Sequence, residues 1–219
     1  MEPDRSTPAD WLPRLVAMAG AGATGDAAHD LQHLQRVWAS AQLLLARSPG
    51  ADALVVMAAC FLHDLVNLPK NDPDRAQASR RSAQLARHQL AWLGFPADKL
   101  DAVAHAIEAH SFSAGIDPTS LEAQIVQDAD RLDALGAVGL ARMFYISGRL
   151  GRDLAHPTDP LALHRERDDM TYALDHIEEK LAKLPGMMQT QAGRDLADER
   201  LGLMLAFRQA FVAEWRAPA

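Results

Sequence analysis

His63 and Asp64 stand side by side at the end of the most apolar run of the chain, within Phe61-Leu-His-Asp-Leu-Val-Asn-Leu-Pro69. Neighbours on a helix point about 100° apart. A carboxylate at the edge of such a run is costly unless it is paired or bound to a cation. The carbonyl end of a helix carries partial negative charge, which also suits a cation. His33 lies in a preceding segment beside Leu34 and Val37. Asp130 sits in Gln127-Asp-Ala-Asp-Arg-Leu-Asp133, on the same helix face as Asp133, while Asp128 lies about 200° around from it. Two imidazoles and two carboxylates form a mixed nitrogen and oxygen set suited to a borderline divalent ion such as Mn, Fe, Co, Ni or Zn. On a six-coordinate ion such a set leaves room for water and a substrate oxygen. His29 and His33 are a second candidate half-site, but His29 is followed by Asp30, not by the glutamate of an HExxH protease.

Helical period in nearly every segment supplies the elements that must position these groups. Leu31, Leu34, Val37, Trp38, Ala41, Leu44 and Leu45 form one apolar stripe, predicting a helix over about 27–47. Residues about 52–66 are apolar almost all round and predict a central buried helix. Further helices are expected over about 74–93 and from a capping box at Thr119-Ser-Leu-Glu122 to about Tyr145. Another is expected to start at Asp159-Pro160, and a last one to run over about 193–215. The stretch 146–160 reads as a long loop and a candidate lid. No strand alternation is persuasive, so the expectation is an all-α fold.

A length of 219 residues predicts one domain over 1–219, with its core at about 27–145 and C-terminal helices at about 160–216 packed on it. Lys and Arg number 22 against 29 Asp and Glu, a net charge of −7, which argues against a nucleic-acid partner bound through a broad basic face. The longest uncharged apolar run, Ala53 to Leu62, is too short to span a bilayer, and the amino terminus lacks the layout of a secretory signal. A single cysteine, Cys60, among apolar neighbours reads as a core residue and fits a reducing cytoplasm.

The order His33, His63-Asp64, Asp130 resembles the H…HD…D pattern of the HD-domain metal-dependent phosphohydrolase superfamily. The likeness extends over "HDLQHLQRV", "FLHDLVNLPKNDPDRAQASRRSA", "AHSFSAG", "QDADRLDALGAVGLARMF", "DHIEEKLAKL" and "MMQTQAGRDLADER". These six blocks are similar to a small bacterial group with nucleotide pyrophosphohydrolase activity. The resemblance implies an HD-type helical bundle with the metal site in its core. His33, His63, Asp64 and Asp130 would be its ligands, for one divalent ion. Mn²⁺ is favoured, with Mg²⁺, Ni²⁺, Co²⁺, Fe²⁺ and Zn²⁺ as alternatives. It implies hydrolysis of nucleoside tri- or diphosphates by metal-activated water, by a monomer or homodimer. A non-catalytic nucleotide sensor and an iron-dependent oxygenase are the rival readings on the same scaffold. Asp64 and His110 are the candidate catalytic groups, His110 as a donor to a phosphoryl oxygen or leaving group. His29, Lys70, Lys180 and Arg200 are the candidate substrate contacts, with Arg75, Arg80 and Arg81 as further cations after the HD pair. His105 reads as structural, and His88, His156 and His164 as surface.

Overall fold

A computed structural model describes residues 7–21, 31–68, 72 and 74–215. The expected all-α class holds. Among the described residues there are nine α-helices, and the sheet-like contact is an isolated parallel bridge between Asp153 and Tyr172. None of these helices is long and apolar enough to cross a membrane. The chain divides into two compact units, residues 1–130 and 131–219.

The first unit is built around α3 (Ala53–Leu62), where every residue from Leu54 to Leu62 is buried. A helix without a polar face has to be enclosed on all sides. Accordingly α1 (Pro8–Ala21), α2 (Leu31–Leu45) and α5 (Leu100–His110) all pack against it, and α4 (Ala78–Trp92) packs on α5. Asp52 caps α3 by accepting from the amides of Leu54 at 2.9 Å and Val55 at 3.2 Å, and it is paired with Lys99. α6 (Leu121–Leu132) enters through Ser120, whose Oγ accepts from the Ala123 amide at 3.1 Å. The expected capping box does not close. Glu122 reaches instead to the amide of Asp52 at 2.9 Å, joining the starts of two helices.

Two further expectations fail for backbone reasons. The helix predicted to run to Tyr145 breaks after α6, because Gly136 takes φ +73°, and α7 (Gly136–Arg149) starts there. No helix forms at Asp159-Pro160. The Asp159 carboxylate accepts from the amides of Leu163 and His164 and closes a turn instead. In the second unit α7 packs on α9 (Gln191–Trp215), with the short α8 (Asp175–Glu179) between them in sequence. The expected loop from residue 146 begins later, since α7 continues to Arg149, and Asp153 to Leu154 is then hydrogen-bonded to Thr171 to Leu174. Asp133 is buried against Arg142, so its charge is matched by a salt bridge in this unit.

Candidate metal centre

Four helices of the first unit deliver the polar groups. His33 comes from the middle of α2, His63-Asp64 from the turn that ends α3, His110 from the last residue of α5, and Asp130 from α6. The three imidazoles are buried, whereas the Asp64 and Asp130 side chains keep 18% and 30% of their exposure. The cluster therefore has a dry nitrogen wall and a carboxylate side open to solvent.

The separations are tight. His33 Nε2 lies 3.4 Å and His63 Nε2 3.7 Å from Asp130 Oδ1. His63 Nε2 is 3.6 Å from Asp64 Oδ2, and His110 Nε2 is 3.9 Å from Asp64 Oδ1. Two triads, His33/His63/Asp64 and His63/His110/Asp130, have donor atoms all within 4.8 Å of one another. The His63 ring stands edge-on to those of His33 and His110, at centroid distances of 5.5 and 4.6 Å.

Helix ends set the ring orientations. The last carbonyls of a helix have no partner within it. His63 uses one of them, with Nδ1 donating to Cys60 O at 2.9 Å, and His110 does the same to Ile107 O at 2.6 Å. With Nδ1 as donor, neutral His63 presents a lone pair at Nε2, and that buried atom has no hydrogen-bond partner. An orphaned buried acceptor costs about 1–3 kcal/mol, and a cation beside two carboxylates would satisfy it. The donor set fits a borderline divalent ion.

Charge in the cluster is mutually stabilised. Burial works against ionisation of Asp130, but the hydrogen bond from His33 and the nearby rings of His63 and His110 outweigh it and hold its carboxyl far below the usual range. Burial, reinforced by His63, pushes the His110 imidazole down, favouring its neutral form. Burial likewise pushes the Cys60 thiol up, as befits a core residue.

The turn after Asp64 is held from behind by α4 and by Arg75 just ahead of it. Ser82 Oγ accepts from the Val66 amide at 3.0 Å, and Arg75 donates to Asn67 Oδ1 at 2.9 Å and to Leu68 O. Arg75 thus braces the turn, and Arg81 pairs with Asp74 at 2.5 Å. Nothing in the sequence singled out Ser82, which sits in phase with the small residues Ala83 and Ala86 on the buried face of α4. His105 accepts from Thr119 and anchors the chain ahead of α6. His29 and Lys70 lie outside the described residues. Lys180 and Arg200 belong to the second unit. Lys180 is exposed at the end of α8, and Arg200 donates to Leu132 O at 2.7 Å, with its stem over Gly136.

Comparison with known proteins agrees with this geometry. An HD-domain model matches residues 30–135. Over 201 residues the chain is 35% identical to YpgQ of Bacillus subtilis strain 168, covering 90% of this chain and 86% of the relative. The chain belongs to the HD-domain family. Among solved structures, B. subtilis YpgQ in complex with ADP superposes with a TM-score of 0.71 at 32% identity, covering 92% of this chain and 93% of that one. An HD-superfamily hydrolase from Bacillus thuringiensis gives 0.74 at 31% identity, covering 97% and 100%. His63-Asp64 lies inside the matched range at the end of α3, with His63 buried and Asp64 half-buried.

Proposed function

We propose that this HD-domain protein is a metal-dependent phosphohydrolase acting on nucleoside tri- or diphosphates, with His33, His63, Asp64 and Asp130 holding one divalent ion, Mn²⁺ by preference. The unpartnered Nε2 of buried His63, facing two carboxylates, carries this reading. A bound divalent ion supplies charge neutralisation for phosphate oxygens and lowers the pKa of a coordinated water.

The remaining work falls to the chain. Asp64 has one oxygen toward His63 and the other toward His110, so it can hold the ion and still accept a hydrogen bond from the attacking water. Asp130, kept ionised by its histidine neighbours, supports the same water from the solvent side. Phosphoryl transfer depends mainly on positioning and charge neutralisation, so no nucleophilic Ser or Cys is needed. The nucleotide as substrate draws support from YpgQ, a relative whose structure was solved with ADP. A chain with net charge −7 must attract such an anion locally. His29 and Lys70 are the proposed phosphate contacts.

The test is release of phosphate and pyrophosphate across a panel of nucleoside mono-, di- and triphosphates with Mn²⁺. Triphosphates and diphosphates turning over faster than monophosphates support the reading, and no turnover of any nucleotide overturns it. Neutralising Lys70 should raise KM for triphosphates by roughly ten- to a hundredfold, the equivalent of a charge-assisted contact.

A further inference from the structure

His110 was expected to act as a proton donor, but its hydrogen bonding argues otherwise. We propose that His110 Nε2 is a fifth donor to the ion held by His33, His63, Asp64 and Asp130. The inference rests on the metal reading above and assigns His110 to the ion instead of the substrate.

Three observations lead to it. First, His110 is prepared in the same way as His63. Each ends a helix, each spends Nδ1–H on the carbonyl three residues back, and each thereby turns the Nε2 lone pair toward the carboxylates. The Nδ1 proton of His110 is thus committed to Ile107 O, away from the carboxylates.

Second, His110 Nε2 is 3.9 Å from Asp64 Oδ1, too far for a hydrogen bond and therefore not a donor–acceptor pair. Donor atoms about 2.0–2.2 Å from one ion stand roughly 3–4.5 Å apart. The 3.9 Å gap falls in that range together with the 3.4, 3.6 and 3.7 Å gaps among the other four residues. Third, His110 completes a triad with His63 and Asp130 whose donor atoms all lie within 4.8 Å of one another. The two rings stand edge-on with centroids 4.6 Å apart, each with Nε2 near an Asp64 oxygen.

Co²⁺ is the probe, read by affinity and by proton NMR of the Co²⁺-loaded protein. The buried Nδ1–H protons of His63 and His110 are hydrogen-bonded to carbonyls, so they exchange slowly enough to be seen. The unaltered protein should show a strongly shifted exchangeable N–H for each ligating imidazole, and His110→Ala should lose one of them. Its Co²⁺ affinity should fall roughly tenfold or more. His110→Gln, which keeps the bulk, should show the same losses with an unchanged circular dichroism spectrum, separating ligation from folding. His88→Ala on the exposed face of α4 should change neither readout. Absence of Co²⁺ binding by the unaltered protein would overturn the metal reading and this inference with it. Normal Co²⁺ binding, with affinity and shifted resonances unaffected by His110→Ala, would overturn this inference alone.

Discussion

Replacing His63 by Leu should remove the response to metal while leaving the metal-free protein about as stable as before. His63 is 1% exposed, with one nitrogen bonded to Cys60 O at 2.9 Å and the other without a partner. Losing the Cys60 bond costs about 0.5–1.5 kcal/mol, and relieving the orphaned nitrogen returns about 1–3 kcal/mol. Leu fills nearly the same volume with apolar atoms, so the metal-free variant should lie within about 2 kcal/mol of the parent. Metal is different. At a hundredfold excess over Kd a ligand stabilises its site by about 2.7 kcal/mol. For a chain of this size that is a rise in Tm of roughly 5–11 °C. Thermal melts with and without Mn²⁺ should show that rise in the parent and none in His63→Leu. A variant that melts far below the parent without metal, yet keeps the full Mn²⁺ shift, would show His63 to be a packing residue and refute the assignment.

Asp64→Asn should keep the circular dichroism spectrum and lose at least tenfold in turnover, because an amide holds neither a cation nor a water proton as a carboxylate does; a variant that loses only thermal stability would make Asp64 structural. In α7, a Cβ at Gly139 would sit 2.2 Å from Ala134 O, whereas one at Gly148 meets nothing within 4 Å. Gly139→Ala should therefore destabilise by about 1–3 kcal/mol and Gly148→Ala stabilise by about 0.5–1 kcal/mol, read by urea denaturation. Burial opposes ionisation of Asp52, but Lys99 and the amides of Val55 and Leu54 outweigh it and hold its carboxyl below the ordinary value. The stability this provides is present above about pH 4 and is lost as pH falls through the lowered value. Lys99→Met should consequently differ from the parent most at neutral pH and least near about pH 3, and a gap that stays constant across that range would exclude the pairing.

Helices with strong apolar contrast were legible in the sequence, as were the chemical groups at their ends. α3 declares itself through nine consecutive buried residues, and α2 through its stripe of Leu34, Val37, Ala41 and Leu44. His33, His63, Asp64 and Asp130 could be named because costly polar groups beside apolar runs need a reason to be there, whereas His110 entered only through the resemblance to HD-domain sequences. α1 and α5 were missed. The buried stripe of α5, Leu100, Val103, Ala106, Ile107 and His110, is diluted by alanine and ends on a polar residue. The break at Gly136 was missed because a left-handed backbone leaves no apolar signature, only a glycine among others. Glu122 was misassigned because its partner is the Asp52 amide, 70 residues away, which no local pattern can reveal. Ser82 was invisible for the same reason: its hydrogen bond to Val66 depends on how α4 lies against the turn.

Complete burial of α3 also constrains how the molecule is made. Two of its covering helices, α1 and α2, precede it in the chain, but α5 follows, and the last carboxylate of the cluster arrives only at Asp130. Until synthesis has passed α5, a nascent chain carries an apolar segment that it cannot fully cover, the kind of surface on which aggregation starts and chaperones act. The same incomplete chain has His63 and Asp64 but lacks Asp130. On the metal reading, ion capture would therefore belong to the end of assembly of the first unit, where an ion would lock a structure already made.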